Sequence, residues 1–213
     1  MYTLTYKPFY QRRLPHLQPP GATFFITFRL KDSLPQPVLE ELRAERERAE
    51  GVLSRIEDPA ERPRRAYLEQ RRLFGKWDAA LHTVRQGPRW LENPCVAQIV
   101  ADSLHYRDGK VYDLWAFCVM PNHVHLVCRP LGKPDGSYHP LSAILHSLKG
   151  YTAYRANREL GRKGAFWQDE SYDHVVRDEQ ELNRVITYVL NNPVEAGLVQ
   201  TWEEWPWAYV RQR

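Results

Sequence analysis

The run Met120-Pro121-Asn122-His123-Val124-His125-Leu126-Val127 places two histidines one residue apart in an apolar context. Read as a strand, its period of two sends both imidazoles to one side and Val124 and Leu126 to the other. Two neutral imidazoles on one face can chelate a metal; a half-buried histidine can equally satisfy a backbone carbonyl. Strongly apolar strand residues are nonetheless costly surroundings for two polar rings unless something satisfies them. Further along, Tyr188 and Asn192 stand one helical turn apart on a common face. A carboxamide oxygen is a hard ligand, so His123, His125 and Asn192 with open positions suit Mg²⁺ or Mn²⁺ bridging a phosphate better than structural zinc. A phenol ordinarily titrates near ~10, so Tyr188 would need the charge of a metal or a nearby base to attack at neutral pH and form a covalent phosphotyrosine. The plainer alternative is that Tyr188 is one of 12 tyrosines packing in a core, with Asn192 capping a helix before Pro193.

The elements that must hold these residues are legible from periodicity and punctuation. Residues 23–30 (TFFITFRL) read as a first strand, after a proline-rich stretch at 12–21. Residues 37–81 are rich in Glu, Arg, Ala and Leu and break at Asp58-Pro59 and Pro63, which predicts two helices in an insertion. A helix over 94–105 follows the Asn93 cap, and the turn at 107–110 leads into a strand over 111–119. Pro121-Asn122 ends it, and 123–129 returns as its hairpin partner. After a loop at 132–140, apolar spacing predicts a helix over 141–160 closed by Gly161. A short strand at 172–176 precedes a helix capped by Asp178 that is expected to stop before Pro193. The order is that of an α+β fold, with helices on one face of a mostly antiparallel sheet, as in ferredoxin-like or RRM-like domains. One domain over 1–213 is expected, with the insertion at about 37–81 and a tryptophan-rich tail at about 198–213.

Composition restricts the setting. Lys plus Arg number 30 against 26 Asp plus Glu, a formal charge of +4, which permits a polyanionic partner without requiring one. Arginine dominates the basic residues and accompanies 12 Tyr, 7 Trp and 7 Phe, the side chains suited to phosphates and base faces. Cys95, Cys118 and Cys128 form no close pair, so neither a thiolate zinc site nor a disulfide framework is indicated. No apolar run approaches a membrane span, and the segment MYTLTYKPFYQRR lacks a signal-peptide core, so a cytoplasmic protein is expected.

MPNHVHLV, then LKGYTAYRANRELGRKGAFWQDESYDHVVRDEQEL, then ITYVLNNPVEAGLV together resemble the REP-associated tyrosine transposases, relatives of the small single-strand transposases of bacterial insertion sequences. The resemblance runs from the TFFITFRL strand through NPVEAGLV. It implies a metal on His123 and His125, completed by Asn192, and Tyr188 as the nucleophile. It also implies cleavage of hairpin single-stranded DNA through a 5′-phosphotyrosine with a free 3′-hydroxyl, by a monomer or a homodimer. Tyr151 and Tyr154 compete for the nucleophile's role but are followed one turn on by Arg155 and Arg158 rather than by Asn or Gln. Lys149, Arg155 and Arg158 suit phosphate contacts or merely a solvated helix face. Arg162, Lys163 and Trp167 combine a basic loop with an aromatic face, as a strand-tracking surface would, and Trp167 suits core packing equally. The tail's tryptophans read as a segment docked on the core. Two other classes stay open: a non-catalytic hairpin-binding module, and a metal-dependent nuclease that uses water and never holds DNA covalently.

Overall fold

Alternation in the strands and caps at the helix starts produce the architecture seen in a computed structural model, which describes residues 9–11, 15–17, 19–58, 61–83 and 87–212. Most of the segment read for a leader, residues 1–8 and 12–13, and part of the proline-rich stretch lie outside them. The chain divides into two compact units, Met1–Lys31 with Arg89–Arg213, and Asp32–Pro88.

In the first unit, β1 (Phe9–Gln11) and β2 (Pro15–Leu17) pair antiparallel. A second sheet contains β3 (Thr23–Arg29), β4 (Tyr112–Val119), β5 (His123–Pro130), β6 (Tyr172–Val176) and β7 (Ala208–Val210). Its order is β6-β3-β5-β4-β7, antiparallel throughout. The expected α+β fold is present, and the tryptophan-rich tail supplies its last strand: Trp205 Nε1 donates to the Val119 carbonyl at 3.0 Å as β7 docks on β4. A bulge between Leu114 and Ala116 lets β4 keep register with β5.

Helix α3 (Pro94–Arg107) starts where the Asn93 side chain accepts from the amides of Cys95 and Val96. Helix α4 (Leu141–Glu159) ends at Gly161, whose φ of +61° is the left-handed turn expected of a glycine beyond a helix. Both helices cover one face of the sheet. There Phe24, Ile26 and Phe28 of β3 and Val124, Leu126 and Cys128 of β5 pack with Val100, Leu104, Ile144 and Leu148 in a single core. The other face is also covered, contrary to the expectation of helices on one side only. Helix α5 (Glu179–Glu195) packs there, its buried Leu182, Val189 and Leu190 on the side where Phe25, Ala116, Cys118 and Val127 are buried. The near-continuous burial of β5 is the mark of a strand covered on both sides. Nor does α5 stop before Pro193. The proline sits in its last turn, which continues through bonds from Ala196 N–H to Asn192 O and Leu198 N–H to Pro193 O, so only one ladder bond is lost.

In the second unit, α1 (Gln36–Ser54) and α2 (Glu61–Thr83) pack together. Pro63 does not break the second helix: it lies in the first turn, where an amide hydrogen would have no partner. Glu45 joins the pair, receiving Arg72 Nη1 at 2.7 Å and Lys76 Nζ at 2.9 Å. Asp78 and His82 sit one turn apart on α2, Oδ2 to Nε2 3.6 Å.

Candidate active site

On the α5-covered face, β3 and β5 bring polar side chains into register. Thr27 stands opposite His125 and Arg29 opposite His123, while Cys118 of β4 flanks His125 on the other side. His123 and His125 are buried, with 1% and 0% of their surface exposed. Their Nε2 atoms face each other at 3.0 Å, and Asn192 Oδ1 lies 2.9 Å from His125 Nε2. The orientation of that carboxamide is fixed by its other end, because Asn192 Nδ2 donates to the Tyr188 carbonyl at 2.9 Å and so turns Oδ1 toward the histidines. Tyr188 completes the group. Its ring is edge-on to His125, centroids 5.6 Å apart, and edge-on to Phe25 at 5.9 Å, while Phe25 itself stacks on His125 at 5.6 Å.

The outer nitrogens of the two imidazoles are held from behind. His123 Nδ1 lies 2.7 Å from Asn122 Oδ1, an oxygen that can only accept, so the ring proton sits on Nδ1 and Nε2 presents a lone pair. His125 Nδ1 lies 2.8 Å from Thr27 Oγ1, a hydroxyl that can accept or donate. With Thr27 accepting, the lone pairs of His123, His125 and Asn192 converge on one point, an arrangement a divalent cation satisfies at once. With Thr27 donating, His125 Nε2–H lies between His123 and Asn192 instead. These residues therefore fit a metal in donor type, convergence and ring orientation. Burial pushes the titration of the neighbouring Cys118 thiol well up.

Helix α5 is aimed at this point by its first turn. Asp178 caps it through the Glu181 amide at 2.7 Å, and Glu181 reaches His174 Nε2 on β6 at 3.1 Å and the Arg177 amide at 2.9 Å. Two turns on from that anchor stands Tyr188.

The other residues singled out by sequence are placed elsewhere. Tyr151 and Tyr154 lie exposed on α4, on the opposite face of the sheet from the histidines. Lys149 is engaged with the carbonyls of Gln168 and Asp169 and with Ser171 Oγ, at 2.8 to 3.1 Å. The Arg162 guanidinium carbon lies over Trp90, 3.5 Å from the ring centre, and Lys163 is exposed. Trp167 is 6% exposed, its Nε1 donates to Thr152 Oγ1 at 2.8 Å and its ring packs on Phe28 and Phe166, so it belongs to the core rather than to a stacking surface. Sequence reasoning missed Thr27, Asn122 and Phe25, as well as Tyr172, whose ring flanks Phe25 at 6.3 Å. The alternation of TFFITFRL already places Phe25, Thr27 and Arg29 on one face, but only the pairing of β3 with β5 shows that it is the face of the histidines.

Three comparisons bear on this arrangement. The family model described as Transposase IS200 like matches residues 94–192. A putative REP-associated tyrosine transposase of Haemophilus influenzae is 28% identical over 103 residues, 46% of this chain and 58% of the relative, so the match spans little more than half of that protein's length. The structure of a REP-associated tyrosine transposase bound to a REP hairpin superposes with a TM-score of 0.51 at 14% identity, covering 93% of this chain and 82% of that one, which shows a shared fold. The matched stretch, residues 94–192, is similar to the IS200-like transposases and holds His123, His125, Tyr188 and Asn192.

Proposed function

We propose that the protein is a metal-dependent single-stranded DNA endonuclease and strand transferase that acts on REP-type hairpin DNA through a 5′-phosphotyrosine at Tyr188. The observation that carries this is the convergence of His123 Nε2, His125 Nε2 and Asn192 Oδ1, with the Tyr188 ring against His125. The likeness to a transposase solved with a REP hairpin supports the substrate class. Mg²⁺ or Mn²⁺ bound by the two histidines and the asparagine would polarise a scissile phosphate and favour the ionised phenol.

What the chain itself does follows from its contacts. Asn122 and Thr27 fix the imidazoles, and Asn192, donating to the carbonyl of the nucleophile's own residue, ties the ligand set to the position of Tyr188. In the proposed reaction Tyr188 Oη gives up its proton and forms a bond to phosphorus. The bond from phosphorus to the 3′ oxygen breaks, and that oxygen leaves as a hydroxyl after taking a proton. The number of phosphate ester bonds is unchanged, so a 3′-hydroxyl can later attack the tyrosyl linkage and rejoin strands with no external energy source. Lys163, Arg155 and Arg158, exposed in this structure, are the proposed phosphate contacts among the basic residues, whereas Lys149 and Arg162 are engaged within the protein. Action in the cytoplasm, as monomer or homodimer, completes the reading.

The test is to incubate labelled hairpin DNA with the protein and Mg²⁺ or Mn²⁺, then denature. The expected result is a stable protein–DNA adduct that disappears in Tyr188→Phe and on chelation. Cleavage without an adduct, persisting in Tyr188→Phe, would show a hydrolytic nuclease; binding without cleavage would show a non-catalytic hairpin binder.

A further inference from the structure

Three tyrosines on the outer surface of α3 and α4 serve neither the core nor the site: Tyr106, Tyr151 and Tyr154 are 66%, 47% and 60% exposed. Each carries a cation. Lys110 Nζ lies 3.3 Å above the centre of the Tyr106 ring. The Arg155 guanidinium carbon is 5.8 Å from the Tyr151 ring, with Nη1 donating to its hydroxyl at 3.0 Å. Arg158 repeats this on Tyr154, at 5.6 and 3.2 Å. Arg107 unites the two helices. Its Nη1 donates to the Ser103 carbonyl of α3 and its Nη2 to Ser147 Oγ of α4, at 2.8 and 2.9 Å, between two helices that pack against each other. The three pairs thus share one surface.

The three cations of this surface have aromatic rather than acidic partners. Elsewhere in this unit Arg89, Arg129, Arg177 and Arg211 form ion pairs with Glu92, Asp113, Glu181 and Asp108. Among the described residues, Lys110, Arg155 and Arg158 meet no carboxylate; their neighbours are aromatic rings. Positive charge interleaved with exposed rings complements a chain that offers phosphates and open base faces together. A paired stem offers the phosphates but keeps its base faces stacked inside, and an acidic protein segment offers charge without flat partners for the rings.

We infer that this surface binds an unpaired segment of the DNA that flanks the hairpin, stacking bases on Tyr106, Tyr151 and Tyr154 and meeting phosphates with Lys110, Arg155 and Arg158. It rests on the DNA substrate proposed above and adds a second contact region, across the sheet from Tyr188. Tyr151 and Tyr154 become binding residues rather than nucleophiles.

The experiment compares affinity for two DNAs, a bare hairpin and the same hairpin with an unpaired extension, using the full-length protein, the triple variant Tyr106→Leu/Tyr151→Leu/Tyr154→Leu, and the matching triple Tyr→Phe variant. Wild type is expected to bind the extended DNA on the order of tenfold or more tighter, since each stacked base contributes at about that scale. The Leu variant loses that advantage while its affinity for the bare hairpin stays the same; the Phe variant keeps it. Unchanged melting temperatures show that the variants fold. An advantage undiminished in the Leu variant, or an equal loss on both DNAs, would overturn the inference while leaving the proposed reaction in place. Absence of binding to either DNA by wild type would instead overturn the proposed function itself.

Discussion

Thr27 and Asn122 carry the most discriminating prediction among single side chains, because they touch the imidazoles from behind and are not themselves ligands of the proposed metal. Thr27→Val removes the hydroxyl that fixes His125 while keeping the shape of the side chain. Titration of Mn²⁺ binding is expected to show a loss of about 10- to 100-fold in affinity, the usual scale for removing such a partner, with the melting temperature of the metal-free protein little changed. Equal affinity in wild type and Thr27→Val would mean that the hydroxyl does not orient a ligand. Trp167 predicts the opposite pattern. Trp167→Ala deletes a buried ring and the bond it donates to the Thr152 hydroxyl, so chemical denaturation should show a loss of about 3–5 kcal/mol, with DNA affinity of the folded fraction unchanged. At this scale the sequence was informative about His123, His125, Tyr188 and Asn192, because strand and helix periods alone put each pair on one side. It was silent on Thr27 and Asn122, because their role depends on which strand pairs with which. Trp167 was undecided because an aromatic residue after a basic loop reads alike whether it faces solvent or core.

At the scale of elements, strands β3 to β6 and the starts of α3 to α5 were legible to within a residue or two, since Asn93, Asp178 and Gly161 are local signals whose side chain or φ does the work within one turn, whereas β1, β2 and β7 were not read as strands. Two features were not local. Coverage of both sheet faces depends on where α5 travels after β6, and the passage of α5 through Pro193 depends on the bonds that follow it. The α1–α2 pair illustrates a charge pattern that composition alone could not resolve. Hydrogen bonds from Lys76 and Arg72 hold the Glu45 carboxyl down to about 2. Because its folded value lies below the unfolded value of about 4.3, this group contributes stability fully above that pH and loses it as pH falls toward 2. The stability difference between wild type and Glu45→Gln, followed by helical circular dichroism, is therefore expected to be constant near neutrality, to vanish across that acid window and to shrink with added salt. A difference that persists below the window would assign the effect to packing rather than to charge.

At the scale of the whole molecule, the chain divides into two compact units. The amide of Leu30 bonds the Asn122 carbonyl and the amide of Leu91 bonds the Pro121 carbonyl, so the chain leaves and re-enters the first unit at adjacent residues of one turn. Replacing Asp32–Pro88 by a short Gly/Ser linker is expected to leave a cooperatively melting protein with the sheet intact, because closing the gap costs little loop entropy. Non-cooperative melting of that variant would show that the first unit needs the second in order to fold. The resemblance seen in the sequence and the family match over residues 94–192 both converge on this first unit, where all four proposed catalytic side chains lie. The most direct measurement is to digest the covalent protein–DNA adduct and identify the attached peptide by mass spectrometry. The account predicts a single modified residue, Tyr188, on the peptide that also contains Asn192. Attachment at Tyr172, Tyr151 or Tyr154, or at no tyrosine, would contradict it.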